Sequence, residues 1–135
     1  PERCLLSVER RTLPGETGAT AAAELQAIVD ALAAADPAFR AEVRLGLERA
    51  PMETPAGAAI TAALQAAATA VLGSVRAPMG VSFWTDAASL HAAGIPTALF
   101  GPAGAGAHAV EEWVDLASVR ACAEVYLAVA RAFCQ

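Results

Sequence analysis

The sequence predicts a mixed α/β fold built as a strand-helix-strand layer followed by a helix-strand-helix layer. Two segments of the first fifty residues alternate apolar and polar side chains, which is typical of half-buried strands. Other segments space their apolar residues at the helical period. With 135 residues, 56% of them apolar and 17% charged, the chain is suited to a folded core the size of one domain or of parts of two small ones.

The first layer is a partial α+β unit. Alternation predicts strands over Cys4–Arg10 and Arg40–Arg49. Between them we expect a helix over Thr20–Ala35, which ends at Asp36 because proline at position 37 disfavours helical backbone before it. The helix carries one apolar stripe: Leu25, Ile28, Val29 and Leu32. Two strands are marginal as a sheet, so further strands are expected from sequence beyond these residues or from a partner chain.

The segment Pro51–Pro55 is the predicted linker, and it divides the chain into residues 1–50 and 51–135. A second helix is predicted over Gly57–Leu72. Its larger apolar residues are Ile60, Leu64, Val71 and Leu72. About a quarter of all positions are alanine, so the core is expected to be thin, with helix backbones close together.

The remaining elements complete an α/β layer. A short helix is predicted from Thr85-Asp86 to Ala93, followed by a buried strand over Ile95–Phe100 and a loop over Gly101–Gly106. Asp115 is the predicted N-cap of the last helix. The expected buried stripe of that helix is Val119, Cys122, Ala123, Tyr126, Val129, Ala130 and Phe133.

Charge and cysteine content restrict the partners. A net charge of -5 argues against a nucleic-acid partner. The sequence contains no run of 18 uncharged apolar residues, so it does not predict a membrane-spanning helix. Three cysteines without a C-x-x-C pair indicate neither a disulfide framework nor a thiolate zinc site, and they fit a reducing cytoplasm. The chain opens at Pro1 in what resembles a strand, so we expect it to be part of a longer protein.

Most motifs have ordinary explanations. The glycines after the Ile95–Phe100 strand lack the spacing of a phosphate-binding loop, and Trp84 would block the tight turn of a nucleophile elbow at Ser82. His108 follows the glycine-rich loop, where open α/β sheets keep ligands, although a lone loop histidine is more often solvated or a cap. One histidine cannot make a zinc site.

A resemblance to a known family favours a functional role for His108. Three ordered motifs carry it: Pro1–Cys4 with Glu9–Glu16, then Thr85–Ala87, then Leu99–Pro102 followed by His108 and Glu112–Val114. Together they resemble the zinc aminoacylase and exopeptidase family of acetylornithine deacetylase, succinyl-diaminopimelate desuccinylase and carboxypeptidase G. The resemblance implies a partial lid domain over 1–50 and the C-terminal part of a zinc-exopeptidase-like α/β catalytic domain over 51–135.

The resemblance also implies roles for individual residues. His108 corresponds to the last ligand of a two-zinc centre, with cobalt or manganese as alternatives. Arg11 corresponds to the lid arginine that faces the substrate carboxylate, and Arg49 is a second candidate contact. Gly104 stands at a substrate-binding position that is polar in the desuccinylase branch.

Two further positions have supporting roles by the same resemblance. Thr85 and Asp86 are expected to organise the wall of the pocket without touching metal.

The implied parent enzyme hydrolyses the amide bond of N-acyl amino acids or small peptides. The other metal ligands of the family lie in an amino-terminal region absent from these residues, so this chain alone is expected to be inactive. The alternative is a non-catalytic binding or dimerisation module that pairs through Arg40–Arg49. A homodimer through the lid is compatible with both hypotheses.

Overall fold

The computed structural model describes residues 2–74 and 77–134. They form two compact units that meet in sequence between Met52 and Glu53, inside the predicted linker. The helices and strands of these residues are α1 (Gly18–Ala35), α2 (Ala59–Leu72), α3 (Ala87–Ala92), β1 (Gly104–Ala105), β2 (Trp113–Val114) and α4 (Leu116–Phe133). This mixture of helices with a small sheet confirms the predicted α/β class.

Helix α1 confirms the prediction for the first unit, although it begins two residues earlier than expected. The Thr17 hydroxyl accepts a hydrogen bond from the Thr20 backbone N–H at 3.1 Å, which caps the first turn. The helix ends at Asp36, whose N–H donates to the Leu32 carbonyl at 2.9 Å. No residue of α1 is buried, and Leu25, Ile28 and Leu32 of its apolar stripe stay 39 to 58% exposed.

Three predicted strands are wrong. Residues 4–10, 40–49 and 95–100 join no β-ladder among the residues that the structure describes. Their alternating or apolar pattern shows which side chains favour burial. A strand also requires backbone hydrogen bonds to a neighbouring strand, and the pattern does not specify one. The backbone near Ile95 instead terminates helix α3. The Ile95 N–H donates to the Leu90 carbonyl, and Gly94 has a left-handed backbone with φ +78°.

The core of the second unit lies between α2 and α4. Val125 and Ala68 are completely buried, and Ala67 is nearly so. Partly buried apolar residues pack around them: Leu64, Val71, Phe100, Ala128 and Val129. Alanine at this contact lets the two helices approach closely, as the composition predicts.

The predicted stripe of α4 is confirmed at Cys122, but it omits Val125 and includes residues that stay exposed. The structure buries Cys122 and Val125, whereas Val119, Tyr126 and Phe133 stay 40 to 50% exposed. Apolar residues of α4 lie on most sides of this helix, so their helical spacing alone does not determine which face packs against α2. Among the described residues, no helix is both long enough and apolar enough to cross a membrane.

Replacing Val125 by alanine should weaken the second unit. The side chain is completely buried, so the loss of two carbons and the cavity left behind should lower the free energy of unfolding by about 2 kcal/mol. Urea denaturation followed by circular dichroism measures this. Val110→Ala is the matched control because Val110 is fully exposed, and an equal loss in both variants would contradict the assigned core.

Candidate functional site

The candidate site is built on a β-hairpin before α4. Strands β1 and β2 are antiparallel, with Gly104 opposite Val114 and Ala105 opposite Trp113. The predicted loop over Gly101–Gly106 is therefore wrong at its end, where Gly104 and Ala105 form a strand. Residues 106–112 connect the strands and carry His108 at the tip of the hairpin.

His108 lies in a tight turn with unusual backbone geometry. The Ala109 N–H donates to the Gly106 carbonyl at 2.8 Å, which closes a four-residue turn. At φ 64°, His108 is the one non-glycine residue of the described chain in the left-handed region, as expected for the third position of a type II turn. The side chain is exposed. Such conformations cost energy and concentrate at functional sites.

Two glycines are necessary for this hairpin. A Cβ atom on Gly106 would lie 2.0 Å from the Glu111 carbonyl oxygen, and Gly106 itself has φ +78°. A Cβ atom on Gly104 would lie 2.4 Å from the Trp113 carbonyl oxygen. Gly104 therefore has a local packing role, and its predicted contact with substrate stays a prediction.

The base of the hairpin is held by the first turn of α4. Asp115 caps this helix as predicted, and its carboxylate accepts the Ala117 and Ser118 N–H groups at 3.0 and 3.3 Å. The Asp115 N–H donates to the Ala103 carbonyl at 2.9 Å. The Ser118 hydroxyl accepts from the Ala103 N–H at 3.0 Å and donates to the Asp115 carbonyl at 2.7 Å. Both backbone groups of Ala103 are thus paired.

Thr85 and Asp86 stand at the start of α3. Asp86 occupies the N-cap position, as expected, but its carboxylate makes no capping hydrogen bond. The backbone carbonyls form the first turn instead: Thr85 accepts from Ala88 at 3.1 Å and Asp86 accepts from Ser89 at 2.9 Å. The predicted supporting role of this pair near the site stays a prediction.

The two candidate arginines belong to the first unit. Arg11 is exposed, with its Nε 2.6 Å from a Glu9 carboxylate oxygen. Arg49 donates to the Glu48 carbonyl at 3.2 Å and has further interactions. Exposed ion pairs contribute little to stability, so the Arg11 guanidinium can exchange Glu9 for another carboxylate.

The loop after Arg11 is fixed by Glu16. Its carboxylate accepts the Leu13 N–H at 2.8 Å and an Arg10 hydrogen bond at 3.1 Å. The Leu13 hydrogen bond, together with the positive charge of Arg10, lowers the pKa of Glu16. The loop itself is closed by the Glu16 carboxylate, which accepts the Leu13 N–H, and by the Glu16 N–H, which donates to the Leu13 carbonyl at 3.0 Å.

The described residues do not form a complete metal site. Nowhere between residues 2–74 and 77–134 do three or more histidine, cysteine, aspartate or glutamate side chains come together in a metal-binding group. A protein zinc site needs three or four such ligands. The exposed imidazole of His108 can serve as one ligand, and Glu111 and Glu112 beside it are also exposed.

An apolar groove of about 350 Å³ lies elsewhere in the second unit, between α2, residues 98–100 and α4. None of the predicted site residues lines it. Of its polar groups, the Tyr126 hydroxyl already donates to the Phe100 carbonyl. The groove and the His108 hairpin are therefore separate features of the second unit.

Comparison with known proteins supports the resemblance found in the sequence. The model of peptidase family M20/M25/M40 matches residues 5–132, which span both units. The chain belongs to this family. No curated protein and no solved structure gives a significant match. Membership makes the chain part of a hydrolase family, while the choice among the M20 enzymes named above stays open.

Sequence reasoning did not find Gly106 or Ser118 as parts of this site. Each has a weak signal: a glycine two positions before the histidine, and a serine three positions after the helix-capping aspartate. Both patterns are common in ordinary loops and helix starts. Only the backbone contacts show that they shape the hairpin.

Gly106→Ala should loosen the His108 hairpin. The new methyl group would meet the Glu111 carbonyl, and alanine disfavours the positive φ at this position. We expect amide exchange of residues 104–114 to be at least about tenfold faster, since such strain is on the order of 1 to 3 kcal/mol. Hydrogen-exchange mass spectrometry measures it.

Gly101→Ala, shortly before β1, is the control, because open space surrounds that position and its φ is ordinary. Equal exchange in the Gly106 variant and the wild type would show that the close approach to Glu111 does not shape the hairpin.

Proposed function

We propose that this chain is the C-terminal part of a metal-dependent amidohydrolase that cleaves N-acyl amino acids or small peptides, in the manner of acetylornithine deacetylase. One observation carries the proposal: in a chain of the M20 family, the tip of a hairpin holds an exposed imidazole in a strained left-handed turn. An exposed histidine with a fixed backbone is well prepared to bind a metal from one side.

The proposed metal centre contains two zinc ions, with cobalt or manganese as alternatives. Imidazole is a suitable ligand for these transition metals. His108 supplies one ligand, and the remaining ligands come from an amino-terminal region outside this chain. This chain alone is then inactive. When bound, such a metal pair lowers the pKa of water and polarises the amide carbonyl.

Arg11 and Arg49 are proposed to bind the substrate carboxylate. The planar guanidinium matches a carboxylate with two parallel hydrogen bonds, and Arg11 is exposed beside a replaceable partner. Glu16 closes the loop that begins after Arg11 through its hydrogen bond with the Leu13 N–H. Gly104 would line the pocket with bare backbone, and Thr85 and Asp86 would support its wall.

His108→Ala should abolish most of the activity of the full-length parent enzyme. Loss of one metal ligand should lower zinc content and reduce kcat by at least about 100-fold, because metal-activated water is central to the reaction. Zinc analysis by mass spectrometry and hydrolysis of N-acetyl amino acids measure these effects.

The control is His91→Ala, which removes the other histidine of the chain, in the last turn of α3. Full zinc content and activity in the His108 variant would refute the proposed metal role.

Arg11→Ala should raise KM with a much smaller change in kcat. A charge-assisted hydrogen bond to a substrate carboxylate contributes roughly 10- to 100-fold in binding. Arg11→Lys should recover only part of the loss, since an ammonium group lacks the planar fork. Arg44→Ala, which removes an exposed partner of Glu42, is the control, and an equal effect there would contradict a specific role for Arg11.

A binding or dimerisation module is the second candidate function. It is favoured by the exposed apolar side chains of the unpaired segments in the first unit, such as Leu5 at 87% and Leu47 at 83% exposure. Sedimentation equilibrium combined with a zinc-binding measurement tests this function, because a strict monomer would exclude dimerisation, whereas a dimer is compatible with both candidates. Three free cysteines fit the reducing cytoplasm that we propose as the location.

A further inference from the structure

The connection between α4 and the hairpin lies outside the proposed metal and substrate contacts. Ser118 is on the first turn of α4, and its hydroxyl accepts the Ala103 N–H while donating to the Asp115 carbonyl. The Asp115 N–H completes the arrangement by donating to the Ala103 carbonyl. Ala103, the residue before β1, is therefore hydrogen-bonded through both its backbone N–H and its carbonyl.

We propose that Ser118 is a positioning residue for His108, which acts through the backbone of Ala103 to set the direction of the hairpin. The proposal rests on the proposed function, because it concerns the ability of His108 to reach a metal.

The composition of the hairpin makes this anchor necessary. Only glycine and alanine stand between Ala103 and His108, and most of these residues are exposed. Such residues provide little side-chain packing, and a ladder of two residue pairs is marginal by itself. The orientation of the His108 turn therefore depends on the hydrogen bonds at its base.

The anchor can be removed without removing the helix. Asp115 caps α4 independently of the Ser118 hydroxyl, and alanine is a better helix former than serine. Ser118→Ala should thus leave α4 intact and free the Ala103 N–H, while the Asp115 carbonyl keeps the helical hydrogen bond from the Val119 N–H. Ser118→Thr keeps a hydroxyl at the same position and should restore the hydrogen bond.

The test uses the full-length parent enzyme with three variants. They are Ser118→Ala, Ser118→Thr and, as a control, Ser89→Ala at an exposed serine of α3. In the metal-free protein, hydrogen-exchange mass spectrometry follows residues 101–109. Zinc affinity is measured by competition with a chromophoric chelator, and the visible absorption spectrum of the cobalt-loaded protein reports on ligand geometry.

In Ser118→Ala we expect roughly tenfold faster exchange of residues 101–109, as for one lost hydrogen bond. We also expect roughly tenfold weaker zinc binding and a changed cobalt spectrum, as is common when a residue that orients a ligand is lost. Ser118→Thr should return all three readouts to the wild-type values, and Ser89→Ala should not alter them.

Unchanged exchange and an unchanged cobalt spectrum in Ser118→Ala would overturn this inference. If His108→Ala nevertheless weakens zinc binding, the proposed function stands without the anchor. If His108→Ala leaves zinc affinity unchanged, the proposed function fails and the positioning role fails with it. Faster exchange in Ser118→Ala without any effect on metal binding would also overturn it, since the serine would then be only structural.

Discussion

The packing of α2 against α4 is the interaction on which the candidate site depends. Alanine and Val125 bring these helices into close contact and hold α4 in place. The first turn of α4 then holds Ala103, and Ala103 begins the hairpin that ends at His108. The hairpin has few packing contacts of its own. The position of the His108 imidazole therefore depends on the buried α2–α4 contact, through the hydrogen bonds that join α4 to Ala103.

The helices could be predicted because their signals are local. The stop at Asp36 before proline and the Asp115 cap are encoded within a few residues, and both are observed. The strands could not be predicted in the same way. Alternation over residues 4–10 and 40–49 indicates which side chains share a face, but it does not identify a neighbouring strand. The observed strands have two residues each, which is too short to give an alternating signal.

The sequence motifs predicted the family of the chain but not the geometry of the hairpin that carries His108. The spacing from Leu99–Pro102 to His108 resembles that of the M20 family, and the family match confirms the resemblance at that level. The left-handed turn depends on contacts between Gly106 and Glu111 and between Ala103 and Ser118, which join residues 5 to 15 positions apart. No pattern of single residues specifies these contacts.

Folding alone does not explain a histidine at position 108. The third position of a type II turn favours glycine, which adopts positive φ without a steric penalty, and Gly106 in the same turn shows that glycine is used where space requires it. The exposed imidazole adds no buried area that would offset the strain. The strain at His108 therefore has no compensation within the hairpin, and the proposed metal contact would supply one.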